Sequence, residues 1–156
     1  MQKLDRQVAF TGTKEVAEPL RFDPARLEDY LAREAPGFAG PLKVSQFKGG
    51  QSNPTYLLET PSRKYVLRRK PPGKLLPSAH AVDRDFRVIS ALAANRFPVA
   101  QPVIDCADES VTGTPFFSMV FAGGRVFWIP DMPVATALAP PARLAASSQR
   151  PRPESA

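Results

Sequence analysis

The chain is poor in the residues that most often carry chemistry. Its 156 residues include one cysteine, Cys106, one histidine, His80, and one tryptophan, Trp128. A lone cysteine excludes an intramolecular disulfide and any CxxC-type metal site. A lone histidine excludes any mechanism or metal centre that needs two. No run approaches the ~18 consecutive apolar residues of a membrane span. The N-terminus, Met1-Gln2-Lys3-Leu4-Asp5-Arg6, lacks an apolar core behind its charges and does not read as a signal peptide. With the single thiol, these absences lead us to expect a cytoplasmic protein.

Acidic residues are also scarce where it matters. Between Ala35 and Val82 the basic residues are Lys43, Lys48, Arg63, Lys64, Arg68, Arg69, Lys70 and Lys74, against one acid, Glu59. That local excess of +7 exceeds the net charge of the whole chain, +6. Such a patch attracts nucleotide phosphates, nucleic acid or an acidic surface. It is equally what a solvated face of a soluble domain looks like.

Proline, by contrast, is abundant. The 18 prolines are about twice average usage, which argues against a long helical bundle because proline breaks helix interiors. Most of them punctuate turns. Residues 1–22 show no sustained periodicity and read as a loose arm. Asp23-Pro24 is a helix start, with Asp as N-cap and Pro at the first helical position; Leu27, Tyr30 and Leu31 give the helix one apolar face, and Pro36-Gly37 stops it. Three β-like runs follow: Leu42–Phe47, Thr55–Glu59 and Lys64–Arg69. Gly49-Gly50-Gln51-Ser52-Asn53-Pro54 joins the first two, and Thr60-Pro61-Ser62-Arg63 makes a tight turn between the second and third. A helix is expected over roughly His80–Asn95, its buried stripe formed by Val82, Phe86, Ile89 and Ala93. Short strands around Val103–Cys106 and Pro115–Phe121 follow, with a turn at Asp108-Glu109-Ser110 between them. From residue 130 onward there are six prolines, seven alanines and no aromatic residue, a composition that cannot build a core of its own and reads as a disordered tail.

The expected fold class is therefore α+β: five antiparallel strands with one long helix between the third and fourth, preceded by a short helix. This is the layout of a protein-kinase N-terminal lobe. The expected domains are an arm (1–22), a lobe (23–129) and a low-complexity tail (130–156).

Two features suggest chemistry within that layout. Glycines in the 49–53 turn let the backbone approach a phosphate closely, and bare amides there form an anion nest; a Gly-Gly hairpin is more often simply a turn. Arg68 lies on the third strand, where kinases place the cation that holds the nucleotide phosphates, and Asp85 lies early on the next helix, which carries the acid that pairs with it. Both could equally be ordinary surface charges.

These residues also carry a resemblance. Gly49-Gly50-Gln51-Ser52-Asn53-Pro54-Thr55-Tyr56-Leu57-Leu58 resembles the first hairpin of the aminoglycoside phosphotransferase family, in particular its branch formed by the kinase-like domain of acyl-CoA dehydrogenase family members ten and eleven. Tyr65 to Gly73 resembles that branch's third strand and following loop. Asp83 to Leu92 is similar to its helix, and Pro115 to Gly124 to its linker between lobes. The similarity runs from about Phe22 to Trp128, with the motifs in order. It implies a two-lobed kinase-like fold and ATP- and Mg²⁺-dependent phosphoryl transfer to a small-molecule hydroxyl. Carried over residue by residue, Gly49, Gly50, Gln51, Ser52 and Asn53 would cover the phosphates, Arg68 would replace the strand-three lysine with Asp85 as its acid, and Met119, Val120 and Phe121 would hold adenine through backbone groups.

Departures from the pattern matter as much. The helix acid is usually Glu; Asp85 is one methylene shorter, which leaves a pair with Arg68 long or water-bridged. The usually acidic linker position is Val120. The catalytic loop of His-Gly-Asp type, its downstream Asn and a later metal-binding Asp are not found: after Trp128 only Asp131 and Glu154 remain. No catalytic or metal-binding residue is therefore assigned. His80-Ala81-Val82-Asp83 and Asp85-Phe86-Arg87 superficially imitate catalytic motifs but lie before the linker. The expectation is a nucleotide-binding lobe that is inactive alone. The alternative is a nucleotide-binding interaction module, with a separate C-lobe chain or a second copy covering the exposed linker strand. A nucleic-acid binder using the Arg63–Lys74 patch is the weakest option, since Tyr65 is the patch's one aromatic and stacking support is thin.

Overall fold

In a computed structural model of the chain, the residues described are 11–49, 53–73 and 81–124. All of them lie in the first of the two units into which the chain divides, Met1–Val126. The residues expected to form a tail lie outside the described residues, as do His80 and Trp128.

Helix α1, Pro24–Glu34, forms where its signals predict. The Asp23 side chain accepts from the Ala25 amide at 2.9 Å, and Pro24 opens the first turn. Leu27 and Leu31 are essentially fully buried, each worth about 1.5–3 kcal/mol by removal from water. The helix ends as the Ala35 amide bonds to the Leu31 carbonyl, and Gly37 turns the chain with φ +75°. Glu28 then holds the outgoing chain by accepting from the Leu42 amide.

The sheet has six strands: β1 Thr13–Lys14, β2 Lys43–Phe47, β3 Thr55–Glu59, β4 Lys64–Arg69, β5 Pro102–Cys106 and β6 Phe116–Val120. Their order is β1-β2-β3-β4-β6-β5, antiparallel throughout. The β3–β4 hairpin closes as read from Thr60-Pro61-Ser62-Arg63: the Thr60 amide and hydroxyl both bond to the Arg63 carbonyl. Alternation along β4 separates two faces. Tyr65 and Leu67 join Leu27, Leu31, Tyr56, Leu58 and Phe116 in a core under α1. Val66 and Arg68 face the other side, where α2, Val82–Ala94, packs against β5 and β6.

Three expectations need correction. The arm is not featureless: β1 adds a sixth strand, pairing Thr13 with Phe47 and Lys14 with Gln46. The Gln46 side chain then accepts from the Ala17 amide at 3.0 Å, and the Tyr56 hydroxyl bonds to the Leu20 carbonyl. Two residues are too few to show a period, so nothing in the sequence marks this strand. Second, a short helix, α3, Glu109–Thr112, replaces the expected turn, capped by Asp108 and ended by Gly113 at φ +91°. Third, the stripe on α2 is only partly covered. Val82 is buried, but Phe86, Ile89 and Ala93 are half-exposed, because a single sheet face meets this helix. No helix among the described residues is long and apolar enough to cross a membrane.

Candidate functional site

The α2 face of the sheet gathers the residues that the sequence singles out. Arg68 stands near the end of β4, opposite Thr55 on β3 and Phe117 on β6. Its Nη1 lies 3.7 Å from Asp85 Oδ2, with both side chains about one-third exposed (34% and 36%). That distance is an ion pair but not a hydrogen bond, as expected for an acid one methylene short. The helix is placed by the residue next to Asp85: the Phe86 ring contacts the fully buried Phe117 ring at a centroid distance of 5.8 Å. Phe117 is the cross-strand partner of Arg68, so this aromatic contact lies directly beside the charged pair.

The glycine turn is described at its ends. Gly49 follows β2, and Asn53 is buried beside β3, where the Thr55 hydroxyl bonds to the Asn53 carbonyl. Gly50, Gln51 and Ser52 lie outside the described residues. The exit of the turn is tied to the end of β4, since the Arg69 amide bonds to the Pro54 carbonyl at 3.0 Å. Loop exit and cation are thus adjacent in space.

Met119 and Val120 end β6, with Phe121 immediately after. Two of the backbone donors here are engaged within the fold: the Val120 amide bonds to the Gln101 carbonyl at 2.8 Å, and the Phe121 amide to the Lys64 carbonyl at 3.0 Å. The next residue, Ala122, is exposed, and its amide has no hydrogen bond among the described residues. Sequence reasoning missed this residue, because which amides a strand end engages depends on register. A pocket of about 350 Å³ lined by Thr60, Pro61, Ser62, Arg63, Lys64, Val120 and Phe121 borders this strand end. A cavity of about 460 Å³ between the arm and β2, reached by Phe22, Leu42 and Val44, holds none of the site residues.

The basic patch is smaller than its sequence suggests. Lys64 pairs with Glu59 at 2.8 Å, and this contact holds the Glu59 carboxyl below its usual range. Arg69 is 2% exposed and belongs to the core under α1 rather than to the surface. Lys74 lies outside the described residues. Alternation was the signal for Arg69: it shares a strand face with Tyr65 and Leu67. Cys106 is also buried. No group of three or more His, Cys, Asp or Glu among the described residues could hold a metal ion.

With this geometry in view, the likeness to known proteins is specific. The sequence profile of the family described as "Phosphotransferase enzyme family" matches residues 43–146. The chain belongs to that family. The match extends past Trp128, beyond the stretch over which the resemblance is legible by eye. The chain is 48% identical over 126 residues to acyl-CoA dehydrogenase family member 11 of Gallus gallus, covering 78% of this chain and 16% of that protein. It is 42% identical over 120 residues to acyl-CoA dehydrogenase family member 10 of Mus musculus, covering 74% and 11%. Among solved structures it is similar to a putative aminoglycoside phosphotransferase from Ralstonia eutropha, with a TM-score of 0.60 and 47% identity over 72% of this chain and 32% of that one. The chain thus spans about a sixth or less of the length of these curated relatives and about a third of the solved chain.

Proposed function

We propose that this chain is the nucleotide-binding lobe of an ATP-dependent phosphotransferase acting on a small-molecule hydroxyl, and that it does not transfer phosphoryl by itself. The observation that carries the reading is the Arg68–Asp85 pair, spanning strand and helix beside the exit of the glycine turn. Phosphoryl transfer is largely a matter of positioning and charge stabilisation. A cation held one-third exposed by an acid on a separate element is oriented yet reachable, which suits phosphate oxygens. Gly49 to Asn53 would cover those phosphates. Adenine would lie against Met119, Val120 and Phe121, with the Ala122 amide, unbonded among the described residues, supplying a donor that the two preceding residues have already engaged.

The described residues offer a reachable cation for a nucleotide's phosphates but no evident set of ligands for its Mg²⁺. They include no group of three or more His, Cys, Asp or Glu that could hold a metal ion, and Asp85 already faces Arg68. We therefore derive no metal-dependent step from them. A general base for the acceptor hydroxyl is also unassigned, which is why the lobe alone is proposed to be inactive. Exposed apolar side chains support a missing partner surface: Val88 is 53% exposed, Phe97 57% and Phe121 37%. A C-terminal lobe, in the same or a separate chain, or a second copy would cover them. The buried lone thiol suits a reducing compartment such as the cytoplasm.

Calorimetric titration of the 156-residue chain with ADP tests this reading. Binding is expected, and Arg68→Met should weaken it about tenfold or more, the worth of a charge-assisted contact to phosphate. No ADP binding would refute the nucleotide reading. ATP-dependent phosphorylation of an alcohol by the chain alone, abolished by Arg68→Met, would refute the proposed inactivity. Turnover that appears only on adding a separate C-lobe chain favours the interaction-module reading.

A further inference from the structure

Arg69 occupies a position that charge normally avoids. It is 2% exposed, on the α1 face of β4. Its Nη1 donates to the Thr112 carbonyl at 2.7 Å. The guanidinium carbon lies 5.2 Å from the Phe22 ring centroid and 5.6 Å from that of Tyr56. No carboxylate pairs with it among the described residues, and its buried Nε has no hydrogen-bond partner. Burial holds its pKa below the ordinary arginine value, an effect that Tyr56 partly offsets.

Stability alone does not account for this arrangement. A buried charge must be stripped of water, and an apolar side chain of similar volume often fills such a site at no loss. What the guanidinium does, and an apolar chain cannot, is tie together three segments far apart in sequence: Phe22 before α1, Tyr56 on β3 and Thr112 at the end of α3. Backbone bonds continue the clasp. The Arg69 amide bonds to the Pro54 carbonyl at 3.0 Å, and the Lys70 amide to the Pro115 carbonyl at 2.9 Å. The Thr114 hydroxyl donates to the Lys70 carbonyl at 2.6 Å, and the Thr112 hydroxyl to the Thr114 carbonyl at 2.9 Å. The end of β4 is gripped by the glycine-turn exit on one side and residues 112–115 on the other. Arg68 precedes Arg69 and faces the opposite way.

We propose that Arg69 is a positioning residue: its buried guanidinium pins the C-terminal end of β4, and thereby sets where Arg68 and the exit of the glycine turn stand. It touches no nucleotide and acts through Arg68 and Pro54. Its functional half rests on the nucleotide reading above; its structural half does not.

The test compares the full 156-residue chain with Arg69→Met and Arg69→Lys by amide hydrogen exchange and by ADP titration. In Arg69→Met, exchange at positions 69 and 70 should quicken about tenfold while that at Leu58 and Leu67 stays within about twofold, the signature of local opening. The melting temperature should be unchanged or higher. ADP affinity should fall about tenfold, and the substitution should add nothing further on an Arg68→Met background, since residues acting as one unit are not additive. Arg69→Lys, which keeps the charge but not the planar fork, should show the same pattern about threefold in size, and it decides the matter if the methionine variant does not fold. Unchanged exchange at 69 and 70, exchange raised evenly across the sheet, or additive losses of affinity would each overturn the proposal. If the unaltered chain binds no ADP, the nucleotide reading fails, and the exchange pattern alone decides whether Arg69 pins the strand.

Discussion

Lengthening Asp85 by one methylene should tighten the pair that defines the site. Arg68 and Asp85 stand 3.7 Å apart, outside hydrogen-bond range. In a water-like dielectric the Coulomb attraction of unit charges is about 1.1 kcal/mol at that distance and would be about 1.5 kcal/mol at ~2.8 Å. With a third of each side chain exposed, salt and side-chain entropy reduce the difference, so Asp85→Glu should stabilise the chain by about 0.2–0.4 kcal/mol at low salt. The gain is small, so the assay is a double-mutant cycle. Urea unfolding of Asp85→Glu, Arg68→Met and the combined variant should give a coupling of about 0.2–0.4 kcal/mol that shrinks in ~1 M NaCl. The same substitution should improve ADP affinity about twofold by holding Arg68 in one rotamer, which is preorganisation rather than a new contact. Asp85→Asn should move both quantities the other way. Equal stabilisation by Asp85→Glu with and without Arg68, or insensitivity to salt, would show that the 3.7 Å contact carries no interaction and that Asp85 does not orient the cation.

Phe117→Ala should cost about 3–5 kcal/mol, because the ring is fully buried and its loss leaves a cavity; denaturant unfolding measures this. The same change should loosen α2 through the lost Phe86 contact, seen as faster amide exchange in that helix than in α1. Glu59 gives a pH signature. Its folded pKa lies below the ordinary value because Lys64 donates to it, so its contribution is present above the unfolded carboxyl pKa and is lost as pH falls through the folded one. Glu59→Gln should therefore flatten the acid limb of the stability profile below about pH 4.5 and leave the region near neutrality almost unchanged.

Legibility followed how local each cause is. Asp23-Pro24 and the Leu27/Leu31 spacing specify α1 within one turn of chain, and the helix stands where they put it. The β3–β4 hairpin was equally legible, since its turn chemistry and its alternation agree. The Arg68–Asp85 pair is longer-ranged, and the sequence alone could offer it only through the kinase-like order of strands and helix; the structure places the two charges together. What escaped depended on partners. The two-residue β1 exists because β2 offers an edge and Gln46 a side-chain acceptor, neither of which leaves a periodic trace in residues 11–17. α3 needs only one turn, closed by Asp108 and Gly113, and reads as an ordinary bend. Arg69 was marked by its strand phase, yet its charge drew it into the surface patch. The engaged amides of Val120 and Phe121 follow from pairing with residues 101 and 64, which no local pattern encodes.

The two ends of the sheet limit how copies of this chain can meet. At one border the outermost strand is β1, only two residues long. At the other, Gln101 directs its carbonyl to Val120, so by antiparallel alternation the next residue, Pro102, faces outward, where a proline has no N–H to offer. Among the described residues, neither border presents a long unbroken row of donors and acceptors to an incoming strand. Side-by-side growth of the sheet into fibrils or strand-swapped dimers is thus blunted at both margins. Association is left to exposed side chains such as Val88 on α2, Phe97 and Phe121, which can be matched or mismatched one at a time, so recognition there can be selective in a way that backbone pairing is not.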